Sequence, residues 1–104
     1  MPMSPTQLTK RHFERQGYKV AIVERWNPHA NVRQDLFGII DVLCVGNGET
    51  VAVQCTSYSN ISSRVNKIAD ADATPELREA GWRILVQGWR KPGHRWECRE
   101  VDCS

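Results

Sequence analysis

DVLCVGNGETVAVQCTS, residues 41–57, consists of two valine-rich runs on either side of Gly46, Asn47 and Gly48. Asn-Gly between β-forming runs is the strongest short-range signal for a two-residue hairpin. With Asn47 and Gly48 as the turn, Gly46 faces Glu49, Val45 faces Thr50, and counting outward sets Asp41 opposite Gln54. Opposed residues of an antiparallel pair share a face, with Cβ atoms roughly 5 Å apart. Thr56 joins them by period-two alternation, and Cys44 and Cys55 fall on the other face.

Asp41 and Gln54 are polar residues inside otherwise apolar strands. A buried carboxylate is costly unless a cation, a metal ion or a set of hydrogen-bond donors lies beside it. Two readings follow: a structural Asp-Gln hydrogen bond at a solvated strand end, or the anchor of a cation site. Upstream, Asp35 opens the first hairpin strand. If that strand is continuous over 35–41, Asp35 and Asp41 share a face with Phe37 and Ile39 between them. Gly38 marks a bulge or bend.

Further outward, Ser4 and Pro5 form an N-cap and first helical position, and Gly17 ends the helix they start. Its inner stripe is Leu8, Thr9, His12, Phe13 and Gln16, poor in apolar residues, which predicts a helix on the sheet's edge. Glu14 falls on the opposite, solvated face among Lys10, Arg11 and Arg15. Residues 18–24 read as a strand with Val20 and Ile22 on one side and Ala21 and Val23 on the other, implying cover on both faces. The stretch 25–34 breaks the pattern at Asn27 and Pro28 and reads as a loop. It carries Arg25, Trp26, His29 and Arg33, suited to phosphate contact and base stacking, or else to a tryptophan folded onto the core beside solvated arginines.

After the hairpin, Ile61, Val65, Ile68 and Ala69 are spaced for the buried face of a helix that carries Arg64 and Lys67 on one flank. Thr74 and Pro75 start a short helix ended by Gly81. Residues 82–87 form a strand apolar on both faces, hence central. Trp96, Cys98 and Val101 belong to a last strand whose charged neighbours suit an exposed edge. Arg90, Lys91 and Arg95 form a second basic cluster. The order helix, three strands, two helices, two strands defines an α/β domain over 1–104 with a mixed sheet of about five strands.

The 104 residues and 40% hydrophobic content fit one domain. No apolar run approaches the ~20 residues of a membrane-spanning helix, and no hydrophobic signal region opens the chain. A net charge of +2 decides nothing about partners. The four cysteines, Cys44, Cys55, Cys98 and Cys103, contain no C-x-x-C pair and no metal-spaced histidines, so we expect reduced thiols in a cytoplasmic protein.

Asp41 in an apolar strand, twelve residues, then Gln54-x-Thr56 resembles the D-x(n)-(D/E)-x-K core of the PD-(D/E)XK nuclease superfamily, which includes restriction endonucleases and Holliday-junction resolvases. The stretch RQDLFGIID, residues 33–41, followed by QCTS and a helix bearing Arg64 and Lys67, also resembles small phage and bacterial proteins of that superfamily. The resemblance implies a restriction-endonuclease-like fold and hydrolysis of phosphodiesters in branched or structured DNA with Mg2+ or Mn2+. Asp41, the side chain of Gln54 and the main-chain carbonyl of Cys55 would be the metal ligands, and pairing as a homodimer is implied too.

The chain departs from that pattern. Gln54 stands for an acid and Thr56 for a lysine, and Ile40 precedes the aspartate in place of a proline. Asp35 would restore the missing charge and Lys67 the missing cation. The alternatives are a nucleic-acid-binding module that places Arg25, Arg33, Arg64, Lys67 and Arg90 on the DNA backbone, and a phage protein-interaction factor.

Overall fold

The computed structural model describes residues 3–104. The hairpin lies at its centre: β4 (Val42–Gly46) pairs antiparallel with β5 (Glu49–Ser57), with Gly46 opposite Glu49 and Val42 opposite Val53, so the counted register holds. Asn47 and Gly48 have φ of +51° and +77°, the left-handed pair that a type I′ turn needs and that Asn-Gly supplies at least strain.

Outside the hairpin, β1 (Lys19–Ile22) runs antiparallel to β4. On the other side β6 (Arg83–Arg90) lies parallel to β5, and β7 (Glu97–Asp102) closes the sheet antiparallel to β6. The five-stranded order is β1-β4-β5-β6-β7, a mixed sheet. The central strands β5 and β6 are buried over most of their length and β7 is exposed, as their sequences imply.

Helix α1 (Pro5–Arg15) starts at Ser4, whose hydroxyl accepts the Gln7 N–H at 3.2 Å, and packs Phe13 against Val42, Cys44, Val51, Val53, Cys55 and Leu85, so it lies across the interior strands and not on the sheet's edge as expected. Leu8 and Thr9 are also buried, whereas Gln16 is exposed. Helices α2 (Ile61–Asp70) and α3 (Thr74–Glu79) cover the opposite face, where Ile61, Ile68 and Leu77 meet Ile39, Ile40, Ala52, Ile84 and Val86. Gly88 lets α2 approach: a Cβ there would lie 2.4 Å from the Ile61 side chain and 3.1 Å from Tyr58 Cα. Ala69, expected on the buried face, is exposed, one position around the helix from Ile68.

Three further expectations are corrected. The 25–34 stretch is not a plain loop but a two-stranded ribbon, β2 (Arg25–Asn27) and β3 (Val32–Gln34), in which Asn27 Oδ1 accepts the N–H groups of His29 and Ala30 and so shapes the turn. The chain from 35 to 41 is not one continuous strand. Phe37 and Gly38 take φ of +55° and +76° and fold it back, so that Leu36 and Ile40 exchange backbone hydrogen bonds of 2.9 and 3.0 Å. Finally, β1 is not covered on both faces: it is an edge strand with Ile22 43% exposed, because α2 and α3 sit over β5 and β6 and do not reach it.

No helix among the described residues is long and apolar enough to cross a membrane. All four cysteines are free thiols, and burial pushes the Cys44 thiol up to about 12 and that of Cys55 further, so neither is a ready nucleophile.

Candidate metal and nucleic-acid site

Asp41 is fixed by backbone bonds on both sides. Its N–H donates to the Val53 carbonyl at 3.0 Å, and its carbonyl accepts the Val23 N–H at 2.8 Å. The second bond carries Glu24, the next residue after Val23, to the same place. The Leu36–Ile40 bridge does the same for Asp35, which precedes Leu36 as Asp41 follows Ile40. Carboxylate oxygens of Glu24, Asp35 and Asp41 lie within 4.8 Å of one another. Asp41 is buried and 3% exposed; the other two open toward a cleft of about 420 Å3 that they line with Arg25, Gln34 and Phe37.

Three convergent carboxylates repel one another in a poorly solvated place. Burial is the largest cause pushing the Asp41 carboxyl from the ordinary aspartate range up to about 8, with hydrogen bonding to Asp35 second. The Cys55 N–H acts the other way, and the charges of Asp35 and Glu24 add to the rise. The molecule compensates with donors and cations. Asp41 Oδ2 accepts the Gln54 carboxamide N–H at 2.6 Å and the Cys55 N–H at 2.8 Å. Glu24 Oε1 accepts from the Thr6 hydroxyl at 3.0 Å and from Arg33 at 3.0 Å. Lys67 Nζ stands 3.6 Å from Asp35 Oδ2.

Asp41 meets Gln54 as counted, Asp35 joins Asp41, and Lys67 stands beside Asp35. Gln54 is buried opposite Asp41, but it turns its NH2 to the carboxylate, and its Oε1 is buried without a hydrogen-bond partner. Asp41 Oδ2 thus accepts from both the Gln54 side chain and the Cys55 backbone. Asp35 is a member of the cluster, and Lys67 sits beside it. Thr56, at the position of the missing lysine, is buried, and its hydroxyl accepts from Arg64 Nε at 3.4 Å. Of the other basic residues, Arg33 is engaged with Glu24, and Arg90 pairs with Glu97 at 2.7 Å and lies 4.0 Å over the Tyr58 ring. Arg25 and the 56% exposed Trp26 stay at the surface of the ribbon.

Glu24 is the residue that the sequence did not disclose. It enters through the pairing of β1 with β4, and no tight turn connects those strands, so neither the register nor the position of Glu24 was countable.

The donor chemistry fits a hard divalent cation in part. Two oxygens on one Mg2+ lie at most about 4.2 Å apart, so the cluster needs only a small side-chain adjustment, and three carboxylates suit Mg2+ or Mn2+. Comparison with protein-family models, with curated proteins and with solved structures finds no match.

Proposed function

We propose that this chain is a divalent-metal-dependent endonuclease of the PD-(D/E)XK type that hydrolyses phosphodiesters in branched or structured DNA. The observation carrying the proposal is the convergence of Glu24, Asp35 and Asp41, from three separate segments, beside the cations Lys67 and Arg33. The mixed five-stranded sheet flanked by helices is an α/β framework of the kind this reading needs. Glu24, Asp35 and Asp41 would hold Mg2+ or Mn2+, the ion lowering the pKa of a bound water and neutralising charge on the attacked phosphate. Lys67, 3.6 Å from Asp35, would orient a nucleophilic water. Arg25, Arg33 and Arg64 supply positive charge for the DNA backbone, and Arg90 does so further along the sheet. A homodimer would present two such sites to two strands.

Cleavage of branched and linear DNA with Mg2+ or Mn2+ tests the reading, using wild type, Asp41→Ala and Glu24→Gln. Activity in wild type that both substitutions abolish is the expected result. Equal activity in all three would overturn it.

One observation favours a second reading, a nuclease-fold module that binds DNA without cutting it. The Gln54 carboxamide satisfies Asp41 without any ion. Calorimetric titration with Mn2+ separates the two: no heat of binding together with salt-sensitive DNA binding is the module's signature.

A further inference from the structure

On the face of the sheet that α1 covers lies a second cleft, of about 310 Å3, lined by Met3, Leu8, Arg11, His12, Arg15, Trp89, Arg95 and Trp96. Its polar lining is cationic or imidazole, with no carboxylate. Arg11, Arg15 and Arg95 make no ion pair among the described residues. The nearest acids in sequence are committed elsewhere: Glu14 to Lys10 at 2.9 Å and Glu97 to Arg90.

The aromatic walls are held in place. Trp89 donates its indole N–H to Thr9 Oγ1 at 3.0 Å, across the α1–β6 contact, and His12 meets its ring edge-on with centroids 6.2 Å apart. Trp96 is 37% exposed and carries Lys91 at 5.5 Å from its ring centroid. Unpaired guanidinium groups beside exposed tryptophan are what a single-stranded nucleic acid requires, cations along the phosphates and π-faces for the bases. A duplex keeps its bases stacked inward and has no use for the aromatic wall.

We infer that this cleft between α1 and the 89–96 segment binds single-stranded DNA. The inference rests on the reading of the chain as a DNA-acting protein. Helix α1 touches both places: Thr6 bonds Glu24, and Arg11 follows five residues later, about 7.5 Å along the helix and about 140° around it.

The test is binding of a fluorescent 12-nucleotide oligo(dT), and of a duplex of equal length, to the full chain in EDTA, read by anisotropy and by tryptophan quenching. Arg11→Glu with Arg15→Glu, both exposed positions, is expected to weaken oligo(dT) binding at least tenfold at low salt. It should also reduce the slope of log K against log salt by about 1.4, the share of two phosphate contacts on a single strand. Trp96→Ala is expected to weaken it about fivefold or more and to diminish quenching. Duplex binding should change less than twofold in Trp96→Ala, because the bases of a duplex stay stacked inward.

Wild-type affinity for oligo(dT) in all variants overturns the inference, as does no oligo(dT) binding by wild type at low salt. So does polyglutamate binding that is equally sensitive to the arginine changes and indifferent to Trp96, which would make the cleft a general anion surface. Because EDTA removes divalent cations, the nuclease reading fails separately. Cleft-dependent binding without cleavage sinks only that reading, and cleavage with an unaltered response to the cleft variants sinks only this one.

Discussion

The Gln54 carboxamide donates to Asp41 Oδ2 across 2.6 Å, from the strand position opposite. That bond uses a neutral donor where the nuclease pattern has an acid, and it leaves Gln54 Oε1 buried without a partner. Gln54→Glu removes the donor and adds a fourth carboxylate. It is expected to lower metal-free stability at pH 8 by about 2 kcal/mol or more, since a buried acceptor loses its partner beside a like charge. Divalent-cation affinity should rise at least tenfold. Thermal melts with and without Mn2+ check both, and an unchanged metal-free melting temperature would contradict the geometry.

The protonation of Asp41 gives the metal-free protein a pH dependence of definite sign. Its carboxyl is pushed from the ordinary aspartate value up to about 8, so the native state keeps a proton that the unfolded chain has already released. Between about pH 4 and pH 8 the native state binds more protons, and stability falls as pH rises, at up to about 1.4 kcal/mol per pH unit. The contribution is intact below the lower pH and lost above the higher. Asp41→Asn should flatten this dependence in denaturant titrations across the same range, and saturating Mn2+ should reverse it in wild type.

Lys67 stands 3.6 Å from Asp35 with its stem on an exposed flank of α2. Lys67→Ala should change stability by less than about 0.5 kcal/mol, as exposed pairs do. Its effect on cleavage should be far larger, about a hundredfold loss in kcat if it orients the attacking water. Arg64→Ala, whose contact is with Thr56, should lose less. Single-turnover rates of the two variants on one substrate give the comparison.

Gly88→Ala tests the packing of α2 on β6. The added methyl would stand 2.4 Å from the buried Ile61 side chain and 3.1 Å from Tyr58 Cα, so the Ile61 side chain must move and the Tyr58 backbone give way. A cost of about 1–3 kcal/mol is expected, about 4–8 °C in melting temperature per kcal/mol for a domain of this size. The main loss should be stability, measured by chemical denaturation.

What the residues announced and what they concealed divide along local and non-local lines. The hairpin register followed from Asn47 and Gly48 alone, and with it the meeting of Asp41 with Gln54 and the opposite placement of Cys44 and Cys55. The first helix was declared by its Ser4 cap, and the central place of β6 by its unbroken apolar run. The exposure of β1 was hidden because apolar residues on both faces state what a strand tolerates, not what covers it. The fold-back at Phe37 was hidden for a different reason: a left-handed φ in an aromatic residue is disfavoured locally and is imposed by the Leu36–Ile40 pairing. The orientation of the Gln54 amide depends on which groups crowd Asp41, and Glu24 and Asp35 arrive only through tertiary structure.

The β2–β3 ribbon leaves the body of the protein directly after Glu24 and returns directly before Asp35. Two of the three clustered acids are therefore the roots of one projecting arm, and the third is anchored in the sheet. Arg33, on that arm, holds Glu24 from above. Trp26 lies two residues from Glu24 and its strand partner Arg33 two residues from Asp35, so whatever grips the base of this arm sits at the threshold of the carboxylates.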